Sequence, residues 1–377
     1  MPGFELIGKQ ELKSIINLFK KDKGVLFAHG FEKFRKRFHV REFENNCKKK
    51  MGAKYALAVS SGTAAIKIGL KAIGVKPGDE VITQAFNFIA TVEAIIQTGA
   101  KPILCNVDTS LNMCPKDLQK LITKNTKAIV PVHMLGISCR MKEIMEIAKK
   151  NNLKVLEDNC ESMGAKYKNK FLGTVGDAGV ISYDFGKTIT CGEGGMILTN
   201  NKKIDKYSRE YHDHGHELNP KYPRGMDTVK IVGFNYRMTE MQGIVGKEQL
   251  KKLNRIIIEN KKRYKSLENN LKKNIELREV PKDTKQIYDT LILTVKNKKK
   301  RKEIVKLLNS KKFGTKNLPD AIRWHCAYFW SHALPKAQTA RINKTKIILE
   351  KSIAIPIWLK RSPKDYELLG KKISKYF

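Results

Sequence analysis

Lys187 is the residue whose type and setting most clearly suggest chemistry. It lies in the segment SYDFGKTITCGEGG, residues 182–195, after a short β-like run and before a turn that contains Gly192, Gly194 and Gly195. A lysine amine can form a Schiff base with pyridoxal phosphate or with a keto substrate, and glycines beside it let the backbone approach a ligand closely. A solvated loop lysine is the ordinary alternative in so basic a chain. The segment alone leaves both interpretations open.

Two other segments carry groups that could bind an ionic ligand. The motif SSGTAA, residues 60–65, is typical of a strand end, a glycine turn and a helix start, where free N–H groups and hydroxyls suit a phosphate. Serine and threonine are also ordinary helix caps. The segment LEDNCESMGAKY, residues 156–167, ends an apolar run with two acids, and a carboxylate there could hold a protonated ring nitrogen. Taken alone, a loop acid or a helix cap explains it as well.

The elements that must position these residues alternate between short apolar runs and longer amphipathic ones from about residue 40 to 200. Strands are predicted in YALAVS, DEVITQ, KPILCNV, KAIVPVHM, LKVLED and AGVISYD, with helices between them. This alternation predicts an α/β fold with a mostly parallel sheet covered by helices on both faces. Ligands of such sheets bind beyond the carboxyl ends of the strands. SSGTAA, AFNF, EDNCES and the Lys187 segment all follow predicted strands, so polar and aromatic residues collect where a ligand would lie.

The pattern changes after about residue 245. A long basic helical segment leads to a mixed region with a strand-like YDTLILTV and a helical KEIVKLLNSKK. We therefore expect a large α/β domain over residues 1–245 and a smaller C-terminal α+β domain over residues 246–377, joined by the long helix. Within the second region, WHCAYF, residues 324–329, could approach a substrate or belong to an aromatic core.

Composition limits the classes of function. The 377-residue chain has a net charge of +37, which would suit a nucleic-acid-binding protein, but its lysines are dispersed and no basic stripe alternates with stacking aromatics. Seven scattered cysteines without a CxxC pair argue against a disulfide framework or a metal site and favour a reducing compartment. No apolar run approaches the roughly 20 residues that span a bilayer, and the first residues do not have a signal-peptide profile. We expect a cytoplasmic protein that binds no metal, nucleic acid or membrane.

Taken together and in this order, the motifs resemble those of a known enzyme family, although no single motif is specific to it. SSGTAA, Asp158, Lys187 (187 − 158 = 29 residues later) and GFNYRMTEMQGIVGKEQL, residues 233–250, resemble the DegT/DnrJ/EryC1/StrS sugar aminotransferases. The resemblance implies an aspartate aminotransferase-like fold (fold type I) and the cofactor pyridoxal 5'-phosphate (PLP). It also implies transfer of an amino group from an amino acid, by family analogy glutamate, to a sugar. Related dehydratases have histidine in place of the lysine, so Lys187 favours transamination.

The resemblance assigns cofactor-binding roles to residues in these motifs. They are Gly62, Thr63, Ala64, Phe88, Asp158, Glu161, Ser182, Lys187 and Asn235. Lys187 would be the catalytic residue that forms the Schiff base, and Asp158 would pair with the protonated ring nitrogen. Phe88 would stack on the ring, while Gly62, Thr63, Ala64 and Ser182 would contact the phosphate. Asn235 would reach the phosphate of a neighbouring subunit, which makes the expected enzyme a homodimer.

Glu161 departs from the family pattern. Many members have glutamine at this position, beside the phenolic oxygen of the cofactor. A carboxylate there repels a phenolate unless one of the two is protonated.

A narrower resemblance concerns the sugar acceptor. MPGFELIG, GKTITCGEGG and HDHGHELNP, residues 212–220, resemble the transaminases that make 8-amino-3,8-dideoxy-manno-octulosonate from an oxidised form of the lipopolysaccharide sugar Kdo. On this interpretation His214, His216 and Arg224 would bind anionic or hydroxyl groups of the substrate, although a solvated loop explains them equally well. The alternative is a nucleotide-sugar aminotransferase for O-antigen or antibiotic sugars.

Overall fold

The secondary structure is described for residues 3–219, 221–223, 225–319 and 321–377 of a computed structural model. The strands in this part of the chain are β1 (Tyr55–Val59), β2 (Glu80–Gln84), β3 (Lys101–Cys105), β4 (Thr126–Val130), β5 (Lys154–Asp158), β6 (Lys166–Tyr167), β7 (Lys170–Phe171), β8 (Ala178–Ser182), β9 (Gly195–Thr199), β10 (Thr284–Lys285), β11 (Thr290–Thr294) and β12 (Ser352–Pro356). The α-helices are α1 (Lys9–Lys21), α2 (His39–Met51), α3 (Gly62–Ala72), α4 (Ala90–Gln97), α5 (Pro115–Leu121), α6 (Met141–Lys150), α7 (Lys202–Tyr211), α8 (Glu240–Glu268), α9 (Lys298–Ser310), α10 (Lys336–Arg341), α11 (Asn343–Lys351) and α12 (Pro363–Ser374).

A central sheet positions the site. Seven of the described strands form it in the order β1-β9-β8-β5-β4-β2-β3. Strands β8, β5, β4, β2 and β3 are mutually parallel, whereas β9 runs antiparallel to both of its neighbours, β1 and β8. The predicted mostly parallel α/β sheet is confirmed. Strands β8 and β9 are buried along their whole length, which explains why a covered parallel sheet gives continuous apolar runs in the sequence.

Helices cover both faces of this sheet. On one face α3 packs with α4 and α7, and Ile66, Leu70 and Ile95 are buried between helices and strands. On the other face α2 and α8 enclose a second core that includes Phe43 and Leu253. The strand ends that carry the predicted site are therefore held from both sides by well-packed helices.

The C-terminal region has a smaller core of its own. Strands β11 and β12 pair antiparallel, and α8, α9 and α12 pack around them. Helix α8 is capped at its start by Thr239 and runs across residues 245 and 246, where we placed the domain boundary, so the division into 1–245 and 246–377 stays a prediction. A shared cluster that includes Phe86, Ile292 and Leu318 joins the two regions. Among the helices of the described residues, none is both long and apolar enough to cross a bilayer.

Candidate active site

A cavity of about 590 Å³ lies at the carboxyl ends of the central strands. It contains the predicted site residues Gly62, Thr63, Phe88, Asp158, Glu161, Ser182 and Lys187. These residues lie at or after the ends of β1, β2, β5 and β8, so the topology of the sheet brings together side chains that are up to 125 (187 − 62) positions apart in sequence. Residues 315–317, His325 and Trp358 from the C-terminal region complete the walls.

Lys187 faces Glu161 in this cavity. Its Nζ lies 2.8 Å from Glu161 Oε1, and both side chains are largely buried. Burial by itself lowers the pKa of the Lys187 amine, but the Glu161 carboxylate outweighs burial and holds that pKa above its ordinary value of 10.5. The turn before Lys187 is held by Asp184, whose carbonyl accepts the Lys187 N–H at 3.0 Å and whose carboxylate accepts the Gly186 N–H at 2.9 Å.

Glu161 is held by further donors besides Lys187. Asn317 Nδ2 donates to Glu161 Oε2 at 2.6 Å, and His325 Nε2 lies 3.9 Å from Oε1. Burial raises the pKa of the Glu161 carboxyl, yet Lys187 and His325 outweigh it and hold that pKa well below 4.5. Because the pKa of Glu161 is lowered, its contribution to stability is lost as the pH falls through the lowered value. The contribution of Lys187 is lost as the pH rises through its raised pKa, so the pair stabilises the fold between about 4.5 and 10.5.

Asp158 lines the same cavity at the end of β5. Its Oδ2 accepts a hydrogen bond from Thr91 Oγ1 at 2.8 Å, and its Oδ1 accepts one from the Cys160 N–H at 3.1 Å. The preceding acid, Glu157, points to the opposite face of the sheet, as alternate residues of a strand must. There it accepts hydrogen bonds from His133 and from backbone N–H groups of residues 173, 175 and 176. Of the two adjacent acids, the cavity therefore receives only Asp158.

The start of α3 and the end of β8 form the part of the cavity that suits a phosphate. Ser61 caps α3 by accepting the Ala64 N–H at 3.1 Å, while Gly62 and Thr63 line the cavity. A Cβ added at Gly62 would lie 2.8 Å from Ser182 Cβ, so only glycine permits this close approach. Ala64 itself packs into the core, with its N–H bonded to the cap. Helix N–H groups beside two kinds of hydroxyl are a suitable anion site.

The donor set fits pyridoxal phosphate. A lysine amine and a buried carboxylate open into one cavity, the glycine cradle at Gly62 stands at a helix start, and Phe88 presents a partly exposed ring on the wall. The Phe88 ring centroid lies 5.2 Å from that of His325. These groups match the aldehyde, the ring nitrogen, the phosphate and the ring face of the cofactor, respectively.

The remaining predicted residues lie elsewhere. Asn235, His214 and His216 are absent from the described lining of the Lys187 cavity. Asn235 forms an antiparallel bridge with Asp213, and His216 Nδ1 lies 2.9 Å from Asp227 Oδ1 beside a second cavity of about 580 Å³. Arg224 lies outside the described residues. Within one chain, the predicted sugar-binding histidines therefore do not meet Lys187.

Sequence reasoning missed three residues of the cavity, two of which are hydrogen-bonded to predicted residues. Thr91 orients Asp158, Asn317 orients Glu161, and Lys316 lies on the cavity wall with its Nζ 2.6 Å from Asp289 Oδ2. In WHCAYF, His325 lines the cavity and Cys326 is buried in a core, whereas Trp324 and Phe329 are exposed. Contact of this segment with a substrate stays a prediction. In the described part of the chain, no group of three or more His, Cys, Asp or Glu side chains is placed to bind a metal ion.

Comparisons with known proteins agree with this geometry. The family model described as DegT/DnrJ/EryC1/StrS aminotransferase family matches residues 29–374. A GDP-perosamine synthase of Escherichia coli O157:H7 is 39% identical over 254 residues, which is 67% of each chain.

Solved structures extend the likeness over nearly the whole chain. An aminotransferase from Psychrobacter cryohalolentis superposes with a TM-score of 0.85 and 25% identity, covering 97% of this chain and 96% of that one. A GDP-4-keto-6-deoxymannose-3-dehydratase with a trapped PLP-glutamate geminal diamine gives a TM-score of 0.83 and 25% identity, covering 98% of both chains. The predicted fold type I is confirmed. These matches give no support to the alternative of a basic nucleic-acid-binding protein.

Proposed function

Because the chain belongs to the DegT/DnrJ/EryC1/StrS aminotransferase family and is a PLP-dependent aminotransferase, we propose that it transfers an amino group from an amino acid to the keto group of a nucleotide-linked sugar. One observation carries the chemistry: Lys187 and Asp158 open into the same cavity at the carboxyl ends of the strands. The nucleotide-linked acceptor is supported by the likeness to a GDP-perosamine synthase. The oxidised Kdo that we expected from MPGFELIG and HDHGHELNP has less support, and it remains a prediction.

Each residue of the cavity would have a separate role in transamination. When bound, the cofactor supplies an electron sink for negative charge at the reacting carbon. Lys187 would hold the cofactor through its Nζ and, once released, carry a proton to and from the substrate carbon. Asp158, oriented by Thr91, would keep the proton on the ring nitrogen. Gly62, Thr63 and Ser182 would bind the phosphate, and Phe88 would fix the plane of the ring.

Glu161 would tune the amine of Lys187 before the cofactor binds. Lys187 would bond to the cofactor only through its neutral amine, and the Glu161 carboxylate stabilises the charged amine. In the Glu161→Gln variant, burial dominates and lowers the pKa of Lys187. We therefore expect PLP to combine faster with the stripped enzyme near neutral pH, by about tenfold for each unit that the pKa falls. Stopped-flow absorbance as a function of pH measures this rate.

Glu193→Gln is the matched control for this prediction. Glu193 lies on the same cavity wall, outside the ion pair of Lys187 and Glu161, so its replacement should leave the rate profile close to that of the wild type. Equal profiles for Glu161→Gln and the wild type would show that the ion pair does not control the amine.

A homodimer with glutamate as the amino donor belongs to the same proposal. Asn235 lies outside the cavity of its own chain, as a residue that serves a partner would. The segment around it exposes Met226, Val232 and Phe234, and a group of apolar side chains at a surface is typical of a protein interface. A cytoplasmic location, expected from the cysteine pattern, remains a prediction.

Subunit mixing tests the shared site. Each proposed site combines Lys187 of one subunit with Asn235 of the other. In a hybrid of Asn235→Ala and Lys187→Ala subunits, one site therefore contains both substitutions and the other site is intact. Equal amounts of the two variants, after exchange of subunits, should recover about a quarter of the wild-type activity, because half of the dimers are hybrids with one intact site in two. Activity that stays at the average of the separate variants would place Asn235 in the site of its own chain.

A substrate screen tests the proposed function. The enzyme is incubated with glutamate and either a keto nucleotide sugar or oxidised Kdo, and the aminated product is identified by mass. We expect product from the nucleotide sugar. Product from oxidised Kdo alone would overturn the proposed acceptor and leave the transaminase chemistry unchanged.

A further inference from the structure

The first described residues of the chain pack directly beside the turn that carries Lys187. Gly3–Leu6 form a short 3-10 helix, which we call the N-terminal strap. The Gly3 N–H donates to the carbonyl oxygen of Lys187 at 3.2 Å. A Cβ at Gly3 would lie 2.8 Å from that oxygen and 2.9 Å from the Cα of Ile189. Since side chains do not approach backbone atoms so closely, only glycine fits here without a shift of the turn.

The side chains of the strap extend to the part of the cavity wall that the C-terminal region supplies. Phe4 stacks on Phe185, with ring centroids 4.8 Å apart, and meets the edge of Trp358 at 6.2 Å. The Glu5 carboxylate accepts the backbone N–H groups of residues 359 and 360 at 2.8 and 3.0 Å. Trp358 itself lines the cavity. The strap therefore ties the Lys187 turn to the C-terminal wall.

Hydrogen bonds hold both the backbone N–H and the backbone carbonyl of Lys187. Asp184 accepts the N–H of Lys187, and the strap donates to its carbonyl. The backbone on either side of the Lys187 Cα is thereby fixed, while Nζ lies 2.8 Å from Glu161. Movement of the carbonyl side would rotate the Cα–Cβ bond and redirect the amine.

We propose that the N-terminal strap is a positioning element of the active site, in which Gly3 and Phe4 fix the backbone of Lys187 so that its amine meets the cofactor from one direction. This inference rests on the proposed role of Lys187. Misplacement of a reacting group by about 1 Å costs on the order of 10²-fold in rate, so small movements of this turn matter.

A pair of glycine substitutions tests the strap in the full-length enzyme loaded with PLP. Gly3→Ala inserts a methyl group against the turn. Gly8→Ala is the matched control, because Gly8 has an extended backbone and a Cβ there meets nothing within 4 Å. Phe4→Ala removes the ring contacts of the strap without inserting an atom. It therefore tests the positioning role even if Gly3→Ala does not accumulate as folded protein. The measurements are the pH titration of the visible band of the lysine-bound cofactor, kcat, and KM for glutamate.

The expected result separates positioning from general stability. Gly3→Ala and Phe4→Ala should move the midpoint of the titration by about half a pH unit or more and lower kcat on the order of tenfold with little change in KM. Gly8→Ala should match the wild type. Lower unfolding temperatures with an unshifted titration and unchanged kcat would overturn the role of the strap alone. A wild-type enzyme without a band that depends on Lys187 would instead refute the proposed function.

Discussion

Replacing Lys187 by alanine should lower turnover by roughly a million-fold, which is the scale seen when the central group of a catalytic set is removed. On the proposed role of Lys187, the variant should lose both the covalent attachment of the cofactor and the amine that would carry the proton. It should also lose the visible absorption band of the lysine-bound cofactor. Absorption spectra and turnover of the purified variant, each after saturation with PLP, measure the two losses.

Lys187→Arg is the control that separates chemistry from folding. Arginine keeps a positive charge beside Glu161, whose carboxylate is buried and would otherwise lose its closest cation. Its guanidinium remains protonated and cannot form the Schiff base. We expect Lys187→Arg to unfold close to the wild-type temperature and to be as inactive as Lys187→Ala. An alanine variant that retains the band would place the covalent bond on another lysine.

The parts of the site that could be predicted lie at the ends of regular strands. Gly62, Asp158 and Lys187 follow buried strands with clear apolar patterns, and the carboxyl ends of parallel strands meet at one edge of the sheet. Residues at these strand ends can therefore be predicted to lie close together even when the conformations of the loops are unknown. The resemblance to a family added the identity of the cofactor, which the strand pattern alone left open.

The parts that could not be predicted depend on irregular segments. Asn317 reaches Glu161 from 156 residues away, through a loop in which its own backbone has φ +54°. Asparagine tolerates this left-handed conformation, but the sequence does not show that it is adopted. Strand β9 was missed because it begins at the end of the glycine turn itself, at Gly195. Gly3 has no local signal, since its importance comes from the backbone of Lys187.

Glu157 and Asp158 are adjacent acids whose side chains lie on opposite faces of β5, one bonded to buried backbone groups and the other facing the cavity. The sequence presents two neighbouring carboxylates after the same apolar run. The pleat of β5 turns Glu157 toward buried backbone N–H groups and His133, and it turns Asp158 toward the cavity. Substitution of each acid by its own amide should therefore affect different properties: turnover for Asp158 and stability for Glu157.

Asp158→Asn should lower turnover by on the order of 10³- to 10⁴-fold, comparable to other cases in which a buried carboxylate that orients a protonated ring is made neutral. The amide occupies nearly the same volume and can still accept the Cys160 N–H, so the unfolding temperature should change little. The neutral side chain would no longer keep a proton on the ring nitrogen, which would make the bound ring a weaker electron sink. Kinetics and thermal unfolding of the PLP-loaded variant provide the two measurements.

Glu157→Gln is the matched contrast, because it makes the same change one residue earlier. Each carboxylate oxygen of Glu157 accepts hydrogen bonds from two buried donors. The new NH₂ group therefore leaves two donors without their acceptor, at a cost of about 1–3 kcal/mol each in the free energy of unfolding. The cavity is unchanged, and kcat of the folded fraction should stay within a factor of a few of the wild type. If Asp158→Asn kept more than a tenth of wild-type turnover, or if Glu157→Gln lost as much turnover as Asp158→Asn does, Asp158 could not be the partner of the ring nitrogen. Loss of turnover in Asp158→Asn alone would assign the chemistry to Asp158, the carboxylate that β5 directs into the cavity.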